Sequence, residues 1–377
     1  MSPLGINLGV LAGYPYEASN TKQAGFPAEA FVFNIDTENI SAGSTASDQF
    51  KLPLFNGGTY NFIVNWGDGN SDTITDWNQP ETTHTYASAG AYQVVCTPAT
   101  ANDLQGWRFA NTGDRLKFLS VDQWGDWRPG NYGASFFGCS NFTTVPTAAP
   151  NLTGVTNFSS MFYLATSFNS DLSSWNVSSG TNFFFMFRGA TSFDSDLSNW
   201  DVSSGTNFGA MFLGCTSFNS NLSAWNVSSG TNFGQMFQQA SSFNSDLSAW
   251  NVSSGTNFSA MFQQASSFNS DLSSWDVSSG TSFSLMFYLA SSFTSNLSAW
   301  NVSSGTNFSF MFYLSGLSTV NYDALLIGWS TLLPFPASAT SIDFRNTKYT
   351  STTPAVVTAR DAMIVQFSVS FFDGGAV

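Results

Sequence analysis

Apolar positions along this chain fall into three rhythms. Between about residues 30 and 98 they alternate with a period of two: Phe31, Phe33 and Ile35, then Tyr60, Phe62, Val64 and Trp66, then Tyr92 and Val94. The turns Trp66-Gly67-Asp68-Gly69 and Ala87-Ser88-Ala89-Gly90 punctuate these sets. Short alternating runs between such turns predict an antiparallel β-sandwich. From residue 158 the period becomes 25: Met-Phe recurs at Met161, Met186, Met211, Met236, Met261, Met286 and Met311. Trp recurs in the same phase at Trp175, Trp200, Trp225, Trp250, Trp275 and Trp300. Beyond the repeats, residues 322–333 and 354–365 have helical spacing, and an apolar run near 367–372 predicts a closing strand.

Within one repeat, Phe258, Met261, Phe262 and Ala265 stand at i, i+3, i+4 and i+7, one face of a helix of about two turns. Thr256, after Gly255, is placed to cap it. Leu272, Trp275 and Val277 read as a brief strand bounded by Ser and Gly. Each unit is therefore expected to be strand, turn and short helix. No single unit can bury enough apolar surface to offset its ordering entropy, so the units must stack and share a core. The expected fold is an α/β leucine-rich-repeat-like solenoid preceded by an antiparallel β-sandwich of PKD/Ig-like type. The columns expected to hold the stack are Phe183, Met186, Phe187, Trp200, Phe208, Met211, Phe212, Trp225, Phe233, Met236, Phe237 and Trp250.

The organisation follows: an N-terminal arm (1–30), the sandwich (31–100), a cap with a degenerate repeat (101–157), the repeats (158–315) and a C-terminal cap (316–377). Residues 136–142 look like the degenerate copy, and 116–119 like a first rung.

Polar columns test the chain for chemistry. Before each Leu stands Asp171, Asp196, Asn221, Asp246, Asp271 or Asn296; after each Trp stands Asn176, Asp201, Asn226, Asn251, Asp276 or Asn301. A calcium ligand needs charge and a general acid needs a proton, so either role resists Asp–Asn exchange. Turn formation needs only the shared side-chain oxygen. The Asn-Val-Ser triplets match a glycosylation acceptor but read as part of the repeat.

Composition narrows the function. Acids outnumber bases 24 to 10, a net charge of −14, which argues against nucleic acid as a partner. Only 9% of residues are charged while 16% are aromatic, so the chain has ample apolar surface to bury. The one histidine, His84, lacks a Ser or Cys partner at a recognisable spacing and reads as structural. Cys96, Cys139 and Cys215 are too few and too scattered for a disulfide framework, and Cys215 fills a slot held elsewhere by Ala. No run is long enough to span a membrane, and the start at Met1 lacks an ordinary signal peptide. No metal, cofactor or catalytic pair is expected; a polysaccharide hydrolase would need two carboxylates across a cleft.

Two resemblances carry further expectations. Val64-Asn65-Trp66-Gly67-Asp68-Gly69, with His84-Thr85-Tyr86 and Gly90-Ala91-Tyr92-Gln93-Val94, resembles a PKD domain, a spacer or interaction module of extracellular proteins. The 25-residue unit resembles the BspA-like leucine-rich surface-protein repeat, with Ser-Gly-Thr-Asn-Phe where that family often has Asn-Val-Thr-x-Met. The tail from Leu317 to Trp329 is similar to the segment that closes such arrays. These resemblances imply a non-enzymatic surface or adhesion protein. The lack of a signal or anchor turns the first expectation toward a phage-like virion component (capsid decoration, head fibre or tail fibre), with a bacterial cell-surface adhesin as the alternative and an accessory part of a polysaccharide-acting enzyme as a remote third. Expected partners are other virion or surface proteins, a host-surface protein or glycan, or further copies of the chain. Contact is expected where units differ, beside each Met-Phe, at positions that include Arg188-Gly189 and Gln238-Gln239; the aromatic candidates there are Tyr163, Phe184, Phe185, Tyr288, Phe310 and Tyr313.

Overall fold

The computed structural model describes residues 25–334, 342–344, 347–367 and 371–377. Most of the arm expected over residues 1–30, and part of the strand expected near 367–372, lie outside them. The front of the chain forms β1 (Phe31–Asp36), β2 (Gln49–Lys51), β3 (Leu54–Tyr60), β4 (Phe62–Asn65), β5 (Ser71–Ile74), β6 (Thr83–Thr85), β7 (Ala91–Pro98), β8 (Leu104–Trp107) and β9 (Phe118–Gln123). Five of these make one antiparallel sheet in the order β5-β4-β7-β1-β9, while β2 pairs β6 and β3 pairs β8 as separate ribbons. One sheet with two ribbons stands where a two-sheet sandwich was expected. Alternation works as anticipated on β4, where Phe62 and Val64 are buried and Ile63 and Asn65 exposed.

The repeats depart from expectation. Among the described residues there are two helices, α1 (Thr319–Ser330) and α2 (Pro354–Phe367), and neither lies in a repeat. The α/β leucine-rich-repeat-like solenoid is therefore not the fold: each 25-residue unit is a coil made of successive turns, with single parallel bridges instead of strands. Hydrogen bonding gives the reason. An α-helix at Phe258 would send amides back four residues. Here the amides of Phe258, Ala260, Phe262 and Gln264 donate forward to Ser282, Ser284, Met286 and Tyr288 of the next coil. The amides between them, on Met261, Gln263 and Ala265, close three-residue turns to Phe258, Ala260 and Phe262. Ala260 and Gln264 take positive φ (55° and 59°), which keeps the chain from winding into a helix. The same inward face results, so a helical period appears without a helix.

Ring columns fill the stack. Adjacent rings from Phe158 to Phe308 lie 5.4–5.7 Å apart, and so do those from Phe162 to Phe312. Trp225, Trp250, Trp275 and Trp300 stack at 6.3–6.4 Å. The twelve column residues named from the sequence are all buried. Every indole from Trp200 to Trp300 donates to a leucine carbonyl of the preceding coil, as Trp250 does to Leu222 at 2.9 Å. Gly255 recurs in its unit because a Cβ there would lie 2.4 Å from Phe258 Cζ and 2.9 Å from the Val252 carbonyl. Cys215 is buried in its alanine slot and donates to the Phe187 carbonyl.

Both ends are closed by other parts of the chain. At the front, β9 joins the stack through Val121 N–H to the Thr144 carbonyl (3.0 Å) and Thr143 N–H to the Leu119 carbonyl (2.8 Å). The stretch expected as a first rung is thus an edge strand of the sheet. Lys117, wholly buried beside it, donates to Thr45 Oγ1 and to the Ala46 and Gln49 carbonyls, tying the sheet to the turn ahead of β2. At the back, α1 starts at the cap Ser318 and brings Trp329 onto the Leu297 carbonyl (3.1 Å), as though it were one more member of the tryptophan column. Gly328 permits this approach: a Cβ on it would lie 2.1 Å from the Ser298 carbonyl oxygen. The strand β10 (Ile342–Phe344) bridges to Phe308 and pairs in parallel with β11 (Phe371–Asp373). One contiguous core runs from Phe31 to Met363.

Candidate functional site

Three surfaces were open from the sequence: the His84–Asp68 turn, the acidic columns, and the positions flanking each Met-Phe.

His84 Nε2 lies 2.8 Å from Asp68 Oδ2, with its ring flat against Trp66 (4.9 Å) and edge-on to Tyr86 (4.5 Å). Asp68 also accepts from the Asn70 amide at 3.0 Å, the Asx turn expected for it. Burial pushes the Asp68 carboxyl up, but the hydrogen bonds from His84 and Asn70 outweigh it and leave the group below its ordinary value. The imidazole is held between rings, and among the described residues its side-chain hydrogen-bond partner is Asp68, not a hydroxyl or thiol. Burial pushes all three thiols up, so they stay protonated at neutral pH.

The acidic columns are turn locks. Asp196, Asp246 and Asp271 each accept from the amide of the serine two residues on, at 2.9 Å. Asn221 and Asn296 do the same at 3.0 Å, which explains the free exchange of the two residue types. Among the described residues no group of three or more His, Cys, Asp or Glu is placed to hold a metal ion. Backbone and then side-chain hydrogen bonds from Ser198, Ser248 and Ser273 lower the acidities of Asp196, Asp246 and Asp271 below the ordinary carboxyl value. A carboxyl whose folded pKa is depressed contributes stability above its unfolded pKa and loses it as pH falls through the folded value. Thermal stability is therefore expected to drop below about pH 4. The triple variant Asp196→Asn, Asp246→Asn, Asp271→Asn keeps the turn acceptor but not the charge, and should show a flatter acid limb with a slightly lower neutral stability. Melting curves recorded from pH 7 down to pH 2 check this; parallel acid limbs would count against it.

The third surface is where units differ. The residue before each Met has positive φ in every coil: Ser160, Phe185, Ala210, Gln235, Ala260, Leu285 and Phe310. The third residue after Met does too, and is Gly in only two of seven, Gly189 and Gly214. Of the six contact candidates, Tyr163, Phe184 and Phe185 come together at one end and Tyr288, Phe310 and Tyr313 at the other. Tyr163 stacks on Phe137 at 4.2 Å, and Phe184 on Phe185 at 3.7 Å. Tyr288 stacks on Tyr313 at 5.3 Å, with Phe310 edge-on to Tyr313 at 6.1 Å. Between the two clusters run amide ladders, Gln238 to Gln263 (2.8 Å) and Gln239 to Gln264 (2.9 Å). Leu164, Phe310 and Leu314 are exposed apolar residues on this face.

Sequence reasoning placed Arg188 among the positions where units differ but did not single it out as a contact. Its guanidinium carbon sits 4.9 Å from the Tyr163 ring centroid and 4.6 Å from that of Phe185. The signal was available: Arg188 is the one basic residue between Arg128 and Arg345.

A family described as "Mycoplasma protein of unknown function, DUF285" matches residues 131–248 and again 221–324, together just over half of the chain. The match covers the 25-residue units and leaves the front sheet untouched. No curated protein and no solved structure matches.

Proposed function

This chain belongs to the DUF285 family of Mycoplasma proteins of unknown function, and from that membership we propose that it is a non-enzymatic surface protein whose stacked coils present a partner-binding face. One observation carries the reading. Left-handed backbone favours glycine, and a bulky L-residue there costs about 1–2 kcal/mol. Phe185 and Leu285 occupy such positions on a half-buried face. Packing inside the stack does not ask for these side chains, since Ala210 and Ala260 serve in other coils. A partner outside the stack does. The resemblance of the 25-residue unit to the BspA-like surface-protein repeat favours a cell exterior over a virion. The front sheet, whose Trp66-Gly67-Asp68-Gly69 turn resembles a PKD domain, would act as the spacer.

Two measurements test this. Immunogold labelling of the native source is expected to place the chain on an outer surface, and an interior location would overturn the reading. The variant Tyr288→Ser, Tyr313→Ser is expected to keep the parent's circular dichroism and lose at least about tenfold in attachment to target surfaces, the scale of removing aromatic anchors. Unchanged attachment would remove this end of the face, and turnover of a surface glycan by the purified chain would overturn the non-enzymatic assignment.

A further inference from the structure

We infer that Arg188 and the rings that clamp it form a recognition site for the carboxylate of an otherwise uncharged, sugar-acid-bearing glycan; this rests on the surface reading above and names its ligand class. The guanidinium is held against Tyr163 and Phe185, and each of those rings is backed by another, Phe137 and Phe184. A planar cation stacked in this way keeps its N–H edges free for a bidentate carboxylate, and little side-chain entropy is left to lose on binding. Three other arginines are engaged, Arg115 donating to Ser41 Oγ, Arg128 to Asn102 Oδ1 and Arg360 to Asp373, while Arg108 lies over the single ring of Phe55 with its Nε buried and unpaired among the described residues. Among the described residues none hydrogen-bonds the Arg188 guanidinium, and no carboxylate pairs with it; its side-chain contacts are the Tyr163 and Phe185 rings. A lone cation on an outer face, clamped but without an acceptor, is complementary to an anion brought from outside.

The charge of the whole chain restricts that anion. At −14 the molecule repels polyanions, so nucleic acids and highly sulfated chains meet an unfavourable field. A single carboxylate on a neutral body pays little of that repulsion. The surroundings then fit a polyhydroxyl body better than an apolar one. Next along the face, Gly209, Ala210 and Gly214 leave the coil low beside Arg188, and the Gln238–Gln263 and Gln239–Gln264 ladders continue it with amides. Rings, primary amides and one arginine together offer what an acidic sugar needs: flat apolar contact, neutral hydrogen-bonding groups and a carboxylate fork.

The test uses the full chain, with Arg188 Nε–Hε NMR shifts and titration calorimetry as readouts. The probes are sialyllactose, lactose, and a neutral peptide carrying one Glu. Sialyllactose is expected to shift the Arg188 resonance and to bind at least about tenfold more tightly than lactose, the scale of one charge-assisted pair. Arg188→Gln should abolish that preference. Arg188→Lys should restore only part of it, because an ammonium cannot make the bidentate contact. Equal binding of the two sugars, or binding of the Glu peptide but not of sialyllactose, would overturn the inference, the second in favour of a protein partner. Absence of binding by any probe would overturn it as well. Should the Tyr288→Ser, Tyr313→Ser variant still lose attachment in that case, the surface reading stands while the ligand class falls.

Discussion

Trp250→Ala is expected to lower unfolding stability by about 4 kcal/mol, near the upper range for removing a buried aromatic. Trp250 is 3% exposed and stacks at 6.4 Å on both Trp225 and Trp275. Its ring also meets Phe233 and Phe237 at 6.3–6.4 Å. Deleting it opens a void that neighbouring coils cannot close, because their backbones are tied together by amide–carbonyl bonds on either side. The Leu222 carbonyl would lose the indole donor it now accepts from. Since each coil is stabilised mainly by its neighbours, the damage should spread and divide one unfolding transition into two. Urea unfolding followed by both far-ultraviolet dichroism and fluorescence reads the loss. Trp250→Phe should recover part of it, keeping ring burial but not the hydrogen bond. A Trp250→Ala midpoint within about 1 kcal/mol of the parent would mean that the columns do not hold the stack.

Gly328→Ala is expected to cost about 3 kcal/mol, the top of the range for forcing atoms into a packed core. The clash is with backbone, the Ser298 carbonyl oxygen at 2.1 Å and its carbon at 2.9 Å, so no side-chain rotation relieves it. Helix α1 must lift, and Trp329 then leaves the Leu297 carbonyl. Lifting also uncovers rings that α1 and β10 now cover, including Phe308 against Trp329 and Phe312 against Phe344. An exposed stack end of this kind invites a second copy. Gel filtration over a concentration series should show association in Gly328→Ala and none in the control Ile327→Ala, whose side chain is 40% exposed one residue away. A monomeric, parent-like Gly328→Ala would show that α1 is a loose appendage.

Much of the interior could be read from spacing alone. Phe183, Met186, Phe187 and Trp200 recur in phase because a stack without periodic apolar columns has no core, and the structure buries them all. The Asp–Asn exchange could be read too, since Asp246 and Asn221 accept the same amide with the same kind of oxygen. The expected helix at Phe258–Ala265 failed for a physical reason: i, i+3, i+4, i+7 spacing states which side chains face inward and not where the amides go. Arg188 stood among the positions where units differ but was not singled out, because a single departure within a repeat carries no period; its clamp between Tyr163 and Phe185 marks it.

By itself, the sequence determined that the units must share a core, which residues line it, and that its polar columns serve turns, because burial and local side-chain-to-backbone bonding are written in composition and spacing. Tertiary structure alone decided that the units are turn-built coils, that β9 and α1 close the two ends, and that Arg188 meets two aromatic rings. Those outcomes depend on hydrogen bonds and contacts between residues about one repeat apart, whose free energy exists only once the neighbouring coil is in place.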